Sequence, residues 1–386
     1  MLKINQHLTG FQCIRCEELH PIHDYHEGCP KCQAQHRPAS VVPVYDKTMP
    51  DVVWSGSGRG MRRFSHRLPY CSFESLGEGD TPIVDLPRLA GELGMDRLSI
   101  KLEGANPTGS HKDRMSVQFV ARAKDRGAHG VVAASSGNAG ASVAAYAAAA
   151  GLPCIIVTTP AISPPWRRAI EMTGAEIIYT EDSLERWAIV RRMVRDEGYA
   201  SATNYLDPPV GSDPWGVDGY KTLGYELAED EATADIEAIL VPTARGDLLW
   251  GIYQGLADAV SAGRRSSQPR LVAVEPFPRL EKVLAGQDLR SHYPGRSLLV
   301  SIGGATVTFQ SWLAVTKTRG AAVSVAEELA LADQRVLARH GLFLELSAAA
   351  SLTGLRRLLQ GGDQPPRSAL LIATSHGYKE SAGHEV

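Results

Sequence analysis

From residue 97 to residue 374 the chain returns again and again to one pattern: a short, nearly continuous apolar run, then a longer stretch with helical periodicity. Strand-like runs are read at 97–102 (RLSIKL), 130–134 (GVVAA), 154–158 (CIIVT), 176–179, 238–241, 270–274 and 369–374 (ALLIAT). Helical patterns are read at 112–126, 139–150, 165–173, 183–196, 221–228, from 248 onward, 327–340 and 347–359. A strand apolar on both faces needs cover on both faces, and parallel neighbours need a crossover between them. The alternation therefore predicts an α/β chain with parallel-sheet cores coated by helices. In such folds ligands sit at the carboxyl ends of strands, against helix N-termini.

Charge narrows the partners. Forty basic residues nearly balance forty-three acidic ones, and a net charge of -3 gives no electrostatic reason to expect nucleic acid or an anionic membrane. The longest apolar stretch, around 143–156, is rich in Ala and too short to span a bilayer. The start, MLKINQHLTGFQC, lacks the apolar centre of a secretory signal, so a cytoplasmic location is expected.

Four of the six cysteines form two CxxC pairs. In a cytoplasmic chain such pairs read as metal ligands before disulfides. The spacing Cys13-x2-Cys16-x12-Cys29-x2-Cys32 predicts a zinc ribbon over residues 1–45, with a closed and structural tetrahedral Zn2+ site. The shell being complete, His20, His23 and His26 are expected at the surface. The ribbon is far from Lys112 in sequence and is expected to be dispensable for the chemistry there. Residues 46–70 read as a connector.

The segment 101–114 (KLEGANPTGSHKDR) runs from a strand through a polar turn, with Pro107, Gly109 and Ser110, to Lys112 at a helix start. A helix N-terminus puts exposed N–H groups beside that lysine. The same residues also suit an ordinary capped surface helix. The residues alone leave both readings open.

Taken together, the motifs resemble the threonine synthase family, fold-type II, tryptophan-synthase-β-like enzymes that use pyridoxal 5'-phosphate (PLP). NPTGSHKDR is similar to the family's NPTGSFKDR. Residues 76–82 (LGEGDTP), 135–140 (SSGNAG), 301–310 (SIGGATVTFQ), 341–349 (GLFLELSAA) and 374–379 (TSHGYK) resemble further family segments in order, from about 71 to 379. The resemblance implies a two-domain PLP fold type II: a small domain at 113–225, a large one from 71–112 and 226–386, and the cofactor in the cleft between them. It implies that Lys112 binds PLP as a Schiff base and moves the α-proton, chemistry that a lysine amine can supply. It implies that Asn138 bonds the phenolic oxygen and that Thr374 lies beside the pyridine nitrogen. Ser110, His111, Ser135, Ser136, Gly137 and Ser347 fall in the motifs that would contact substrate. A homodimer is usual in the family. Apart from the resemblance, Asn138 also suits a turn, and Thr374 a strand-end hydroxyl.

Three positions depart from the family. The phosphate loop, usually VPVGxGG, is here VPTARGDLLWG, so Ala244, Arg245, Gly246 and Asp247 would have to hold the phosphate. Arg245 would bind that phosphate or a substrate anion, or face solvent. Gly216 stands where threonine synthases usually carry an arginine for the substrate phosphate. His111 replaces Phe; it suits either a phosphate contact or simple packing. The expected activity is elimination and replacement on an amino-acid side chain, foremost O-phosphohomoserine plus water to threonine plus phosphate. A β-replacement synthase or ammonia-lyase making a non-standard amino acid is the alternative, and an inactive relative that binds a partner is a third.

Overall fold

Six strands form the larger sheet of the computed structural model, which describes residues 2–46, 56–361 and 365–380. In spatial order they are Ala321–Ser324, Arg270–Glu275, Ala238–Pro242, Ser368–Ala373, Arg97–Leu102 and Ile83–Asp85. All neighbours are parallel except the last pair. The strands Ala238–Pro242 and Ser368–Ala373 are buried at every residue. That is why they read as unbroken apolar runs. Helix Leu346–Gly361 contributes Leu346, Leu352 and Leu355 to the core beside Leu240, Val272 and Leu371. These elements belong to a compact unit made of residues 81–111 and 223–379.

A second unit comprises 1–80, 112–222 and 380–386. Its sheet is parallel throughout, in the order Glu176–Tyr179, Cys154–Thr158, Val131–Ala134, Ala200–Ser201. Helices Lys112–Asp125, Asn138–Ala150, Pro164–Met172 and Ser183–Asp196 accompany it. The N-terminal segment adds a small antiparallel sheet ordered Leu19–His20, Leu8–Cys13, Val41–Tyr45. The expected connector at 46–70 lies partly outside the described residues; its described part holds a 3₁₀ helix at Gly60–Arg67. Among the described residues no helix is long and apolar enough to cross a membrane.

Candidate functional site

In the larger sheet three neighbouring parallel strands end on the same edge. Arg97–Leu102 runs into the segment carrying Ser110 and His111, Ser368–Ala373 into Thr374, and Ala238–Pro242 into Ala244, Arg245 and Gly246. A parallel register thus delivers three of the predicted segments to the carboxyl edge, where such sheets bind ligands.

The first segment is locked from below. Glu103 is fully buried and accepts from Thr81 Oγ1 at 2.6 Å and Asn106 Nδ2 at 3.0 Å. Gly109 donates its N–H to the Asn106 carbonyl at 2.7 Å. Gly109 has φ +80°, and a Cβ there would collide with His376, so only glycine turns the chain here. The turn leads to Ser110, which bridges to Ser375. Ser110 is fully buried, and its Oγ has no partner among the described residues. His111 donates its backbone N–H to the Thr374 carbonyl at 3.0 Å, and its Nδ1 lies 3.2 Å from the same oxygen.

The turn at 243–246 opens helix Asp247–Ser261. Gly246 is its N-cap at φ +85°, ψ +19°, without a side-chain cap, and a Cβ there would collide with Ser311. Thr308 Oγ1 donates to the Arg245 carbonyl at 2.5 Å, and Gln310 Nε2 bonds Asp247. The Arg245 and Arg279 guanidinium groups both reach Gly304. Buried Arg279 is a strut: it donates to the carbonyls of Thr243 (2.9 Å), Ile302 (3.1 Å) and Gly304 (2.6 Å) and pairs with Glu275 at 3.2 Å. Ser347 is buried, and its Oγ accepts from Ser301 N at 3.3 Å.

In the other unit, Lys112 begins helix Lys112–Asp125, with its Nζ 5.8 Å from the Tyr220 ring centre. The next two residues anchor it. Asp113 is fully buried and accepts from Ser142 Oγ at 2.6 Å, while Ser142 also contacts Ser116 at 2.7 Å. Arg114 is fully buried and donates to Thr222 Oγ1 at 3.0 Å. Ser142 stands on helix Asn138–Ala150, so these bonds fix the lysine helix against the asparagine helix. Tyr146 on that helix donates to Glu78 at 2.7 Å. Burial, with the Asp113 and Glu78 carboxylates nearby, pushes its phenol far above the usual range and keeps it a donor. Asn138 is the first helical residue after N-cap Gly137. Ser135 Oγ accepts from Gly137 N at 3.3 Å and Gly140 N at 2.9 Å, holding the turn. Ser136 Oγ accepts from Arg186 at 2.7 Å.

Gly216 is accounted for by packing. A Cβ there would lie 2.9 Å from Met115 Cγ and 3.1 Å from the Met115 carbonyl, so the backbone rests directly on the lysine helix. No side chain fits at 216 without moving that helix.

The four N-terminal sulfurs lie within 4.8 Å of one another. Cys13 and Cys32 Sγ are 3.6 Å apart, Cys16 and Cys29 Sγ 3.7 Å. A disulfide needs about 2.05 Å. A tetrahedron with metal–sulfur bonds of about 2.3 Å has edges of about 3.8 Å, so the donor set fits zinc. Burial pushes the Cys29 thiol up to about 11, so metal uptake at neutral pH must release its proton. The ribbon does not stand apart. Asp24 pairs with Arg122 at 2.7 Å and Arg126 at 2.8 Å. Both follow Lys112 in chain order, and Arg122 lies on its helix. Arg122 lies 4.3 Å over Trp215, whose Nε1 donates to the His23 carbonyl at 3.1 Å.

Among the residues that set this geometry, Glu103, Arg279, Trp166 and Arg186 went unread in the sequence. None stands out locally; each acts through a partner distant along the chain or on another element.

A family profile described as pyridoxal-phosphate dependent enzyme matches residues 74–375. The threonine synthase of Methanosarcina acetivorans is 29% identical over 79% of this chain and 76% of its own. That of Mycobacterium leprae is 30% identical over 79% of this chain and 83% of its own. Among solved structures, an O-ureido-L-serine synthase superposes with TM-score 0.63 at 22% identity, covering 78% of this chain and 90% of that one. A pyridoxal 5'-phosphate-dependent aspartate racemase superposes with TM-score 0.65 at 22% identity over 77% and 90%. At such identities the structures share the fold.

Proposed function

The chain belongs to the family of pyridoxal-phosphate dependent enzymes, and from that premise we propose that it converts O-phospho-L-homoserine and water to L-threonine and phosphate. The observation that carries this reading is the similarity to threonine synthases over most of both chains. When bound, PLP supplies an aldehyde for an amine and an electron sink for the charge left at the substrate Cα. Lys112 would hold the cofactor through Nζ, and its amine is the group that would move the proton at the substrate Cα. Asn138 bonds the cofactor's phenolic oxygen. Thr374 offers a neutral hydroxyl to its ring nitrogen. Ala244, Arg245, Gly246 and Asp247 hold its phosphate, where a left-handed Gly246 leaves helix N–H groups open. Arg245 adds a planar cation suited to that anion. The buried, unpartnered Ser110 Oγ is a donor that fits a polar ligand. His111, Ser135, Ser136, Gly137 and Ser347 complete the substrate contacts. Cys13, Cys16, Cys29 and Cys32 hold structural zinc, and the protein works as a cytoplasmic homodimer.

One observation favours a second reading. With no space for a side chain at Gly216, the substrate phosphate lacks the expected arginine, which suits a β-replacement synthase with another leaving group. A panel of phosphorylated and acetylated amino acids, scored by cofactor absorbance and product release, separates the two. Threonine and phosphate from O-phospho-L-homoserine supports the first reading. Turnover of an acetylated or other β-substituted amino acid alone supports the second.

A further inference from the structure

Thr158, Trp166 and Arg186 surround the turn at 135–137 and have no role so far. Arg186, on helix Ser183–Asp196, donates from Nη1 to Ser136 Oγ at 2.7 Å. Thr158, ending strand Cys154–Thr158, places its Oγ1 3.4 Å from the same oxygen. A hydroxyl has two lone pairs and one hydrogen. With a guanidinium donating to its oxygen, Ser136 turns its O–H away from Arg186. Trp166, on helix Pro164–Met172, is 4% exposed and lays its indole against Gly137, where a Cβ would lie 3.3 Å from Cε2 and Cζ2. The Trp166 N–H has no acceptor among the described residues. A buried donor left unsatisfied is costly, so a ligand acceptor beside this turn would be favoured. Burial lowers the Arg186 pKa while Asp182 opposes it, as for a cation partly stripped of water.

We propose that Arg186 is a specificity-determining residue: acting through Ser136, and with the Trp166 N–H beside it, it binds the anionic oxygen group on the side chain of the amino-acid substrate. This rests on the reading that places the turn 135–137 in the amino-acid site. The chemistry fits an oxyanion, since a charged donor, a hydroxyl it supports and an indole with a buried, unsatisfied N–H border one turn. The proposed reaction expels phosphate, and Gly216 cannot supply a cation for it. Arg186 can.

The test uses the cofactor-loaded full chain, with Arg186→Gln, Arg186→Lys and Trp166→Phe variants. O-phospho-L-homoserine and L-homoserine are titrated by the change in cofactor absorbance. Inorganic phosphate is titrated by the part of the tryptophan fluorescence that Trp166→Phe removes. Arg186→Gln should weaken O-phospho-L-homoserine 10- to 100-fold and leave L-homoserine and cofactor content unchanged. Arg186→Lys should recover part of the loss, because it keeps charge but not the planar fork. The phosphate response of Trp166 should vanish in Arg186→Gln. Equal weakening of both amino acids would make the anion the α-carboxylate and overturn the proposal, as would no weakening of either. A wild-type protein that takes up no cofactor would sink the proposed function instead. The Trp166 phosphate response, present with Arg186 and absent without it, would still support the anion site, and its absence from the wild type would overturn it.

Discussion

The turns at 135–137 and 243–246 both carry the chain from the carboxyl end of a buried parallel strand into a long helix. The first is built from hydroxyls. Ser135 caps two amides, Ser136 is held by Arg186, and Gly137 sits at φ -172°, outside the left-handed region. The second has no side-chain cap and depends on Gly246 at φ +85°, with arginine before it. One geometric task, turning a strand end into a helix N-terminus, can thus rest on side-chain hydrogen bonds or on backbone handedness. The two solutions should fail differently when mutated.

Gly246→Ala is the harshest way to break the contrast. A left-handed non-glycine residue costs about 1–2 kcal/mol, and the collision with Ser311 adds to it, for a total of roughly 2–4 kcal/mol. Gly137→Ala meets the buried Trp166 ring at 3.3 Å, which must shift slightly, and should cost about 1 kcal/mol, the low end for overpacking. Thermal melts of both variants check this; equal losses would erase the distinction between the turns.

Arg245→Ala sharpens the comparison at the ligand. If Arg245 holds the cofactor phosphate, PLP content falls and added PLP restores activity. If it holds substrate, PLP content stays normal and kcat/KM falls roughly 10- to 100-fold, the value of a lost charged hydrogen bond of about 1.5–3 kcal/mol. If neither changes, Arg245 serves neither ligand.

The ribbon extends the contrast to the lysine helix. Cys13→Ser should lower bound zinc, measured by metal analysis, and destabilise residues 1–45. Asp24→Ala should cost roughly 1–3 kcal/mol, between the values for exposed and buried pairs. Burial alone would raise the Asp24 carboxyl, but the Arg122 hydrogen bond and the charges of Arg122 and Arg126 hold it below its ordinary value. Its stabilisation is therefore full above the ordinary aspartate pKa and fades as pH falls through the depressed one. Melting curves from pH 7 down to pH 2 should converge for wild type and Asp24→Ala at the acid end. A constant gap would mean the carboxylate charge is not what Asp24 contributes.

Much of the fold was legible because parallel strands buried on both faces leave unbroken apolar runs. The runs at 97–102, 154–158 and 176–179 are strands over those same residues. Strand Ala321–Ser324 and helix Phe309–Lys317 were not read: the first is four residues of AAVS, and the second begins inside the motif 301–310. The lysine and asparagine segments were legible as motifs through their resemblance to family segments, although several of their bonds, such as Arg114 to Thr222, reach far along the chain. Arg186 to Ser136 spans fifty residues, and Asp24 to Arg122 ninety-eight. Nothing local marks such pairs, so the ribbon's seat on the lysine helix and the cation at the serine turn required the three-dimensional structure.

Everything proposed for the site depends on Lys112 being the residue that carries the cofactor. Borohydride reduction of the purified protein, followed by peptide mapping, tests this directly. The expected result is a yellow protein whose reduced cofactor is recovered on the peptide containing Lys112, in wild type but not in Lys112→Ala. Cofactor recovered on another lysine, or on none, would contradict it.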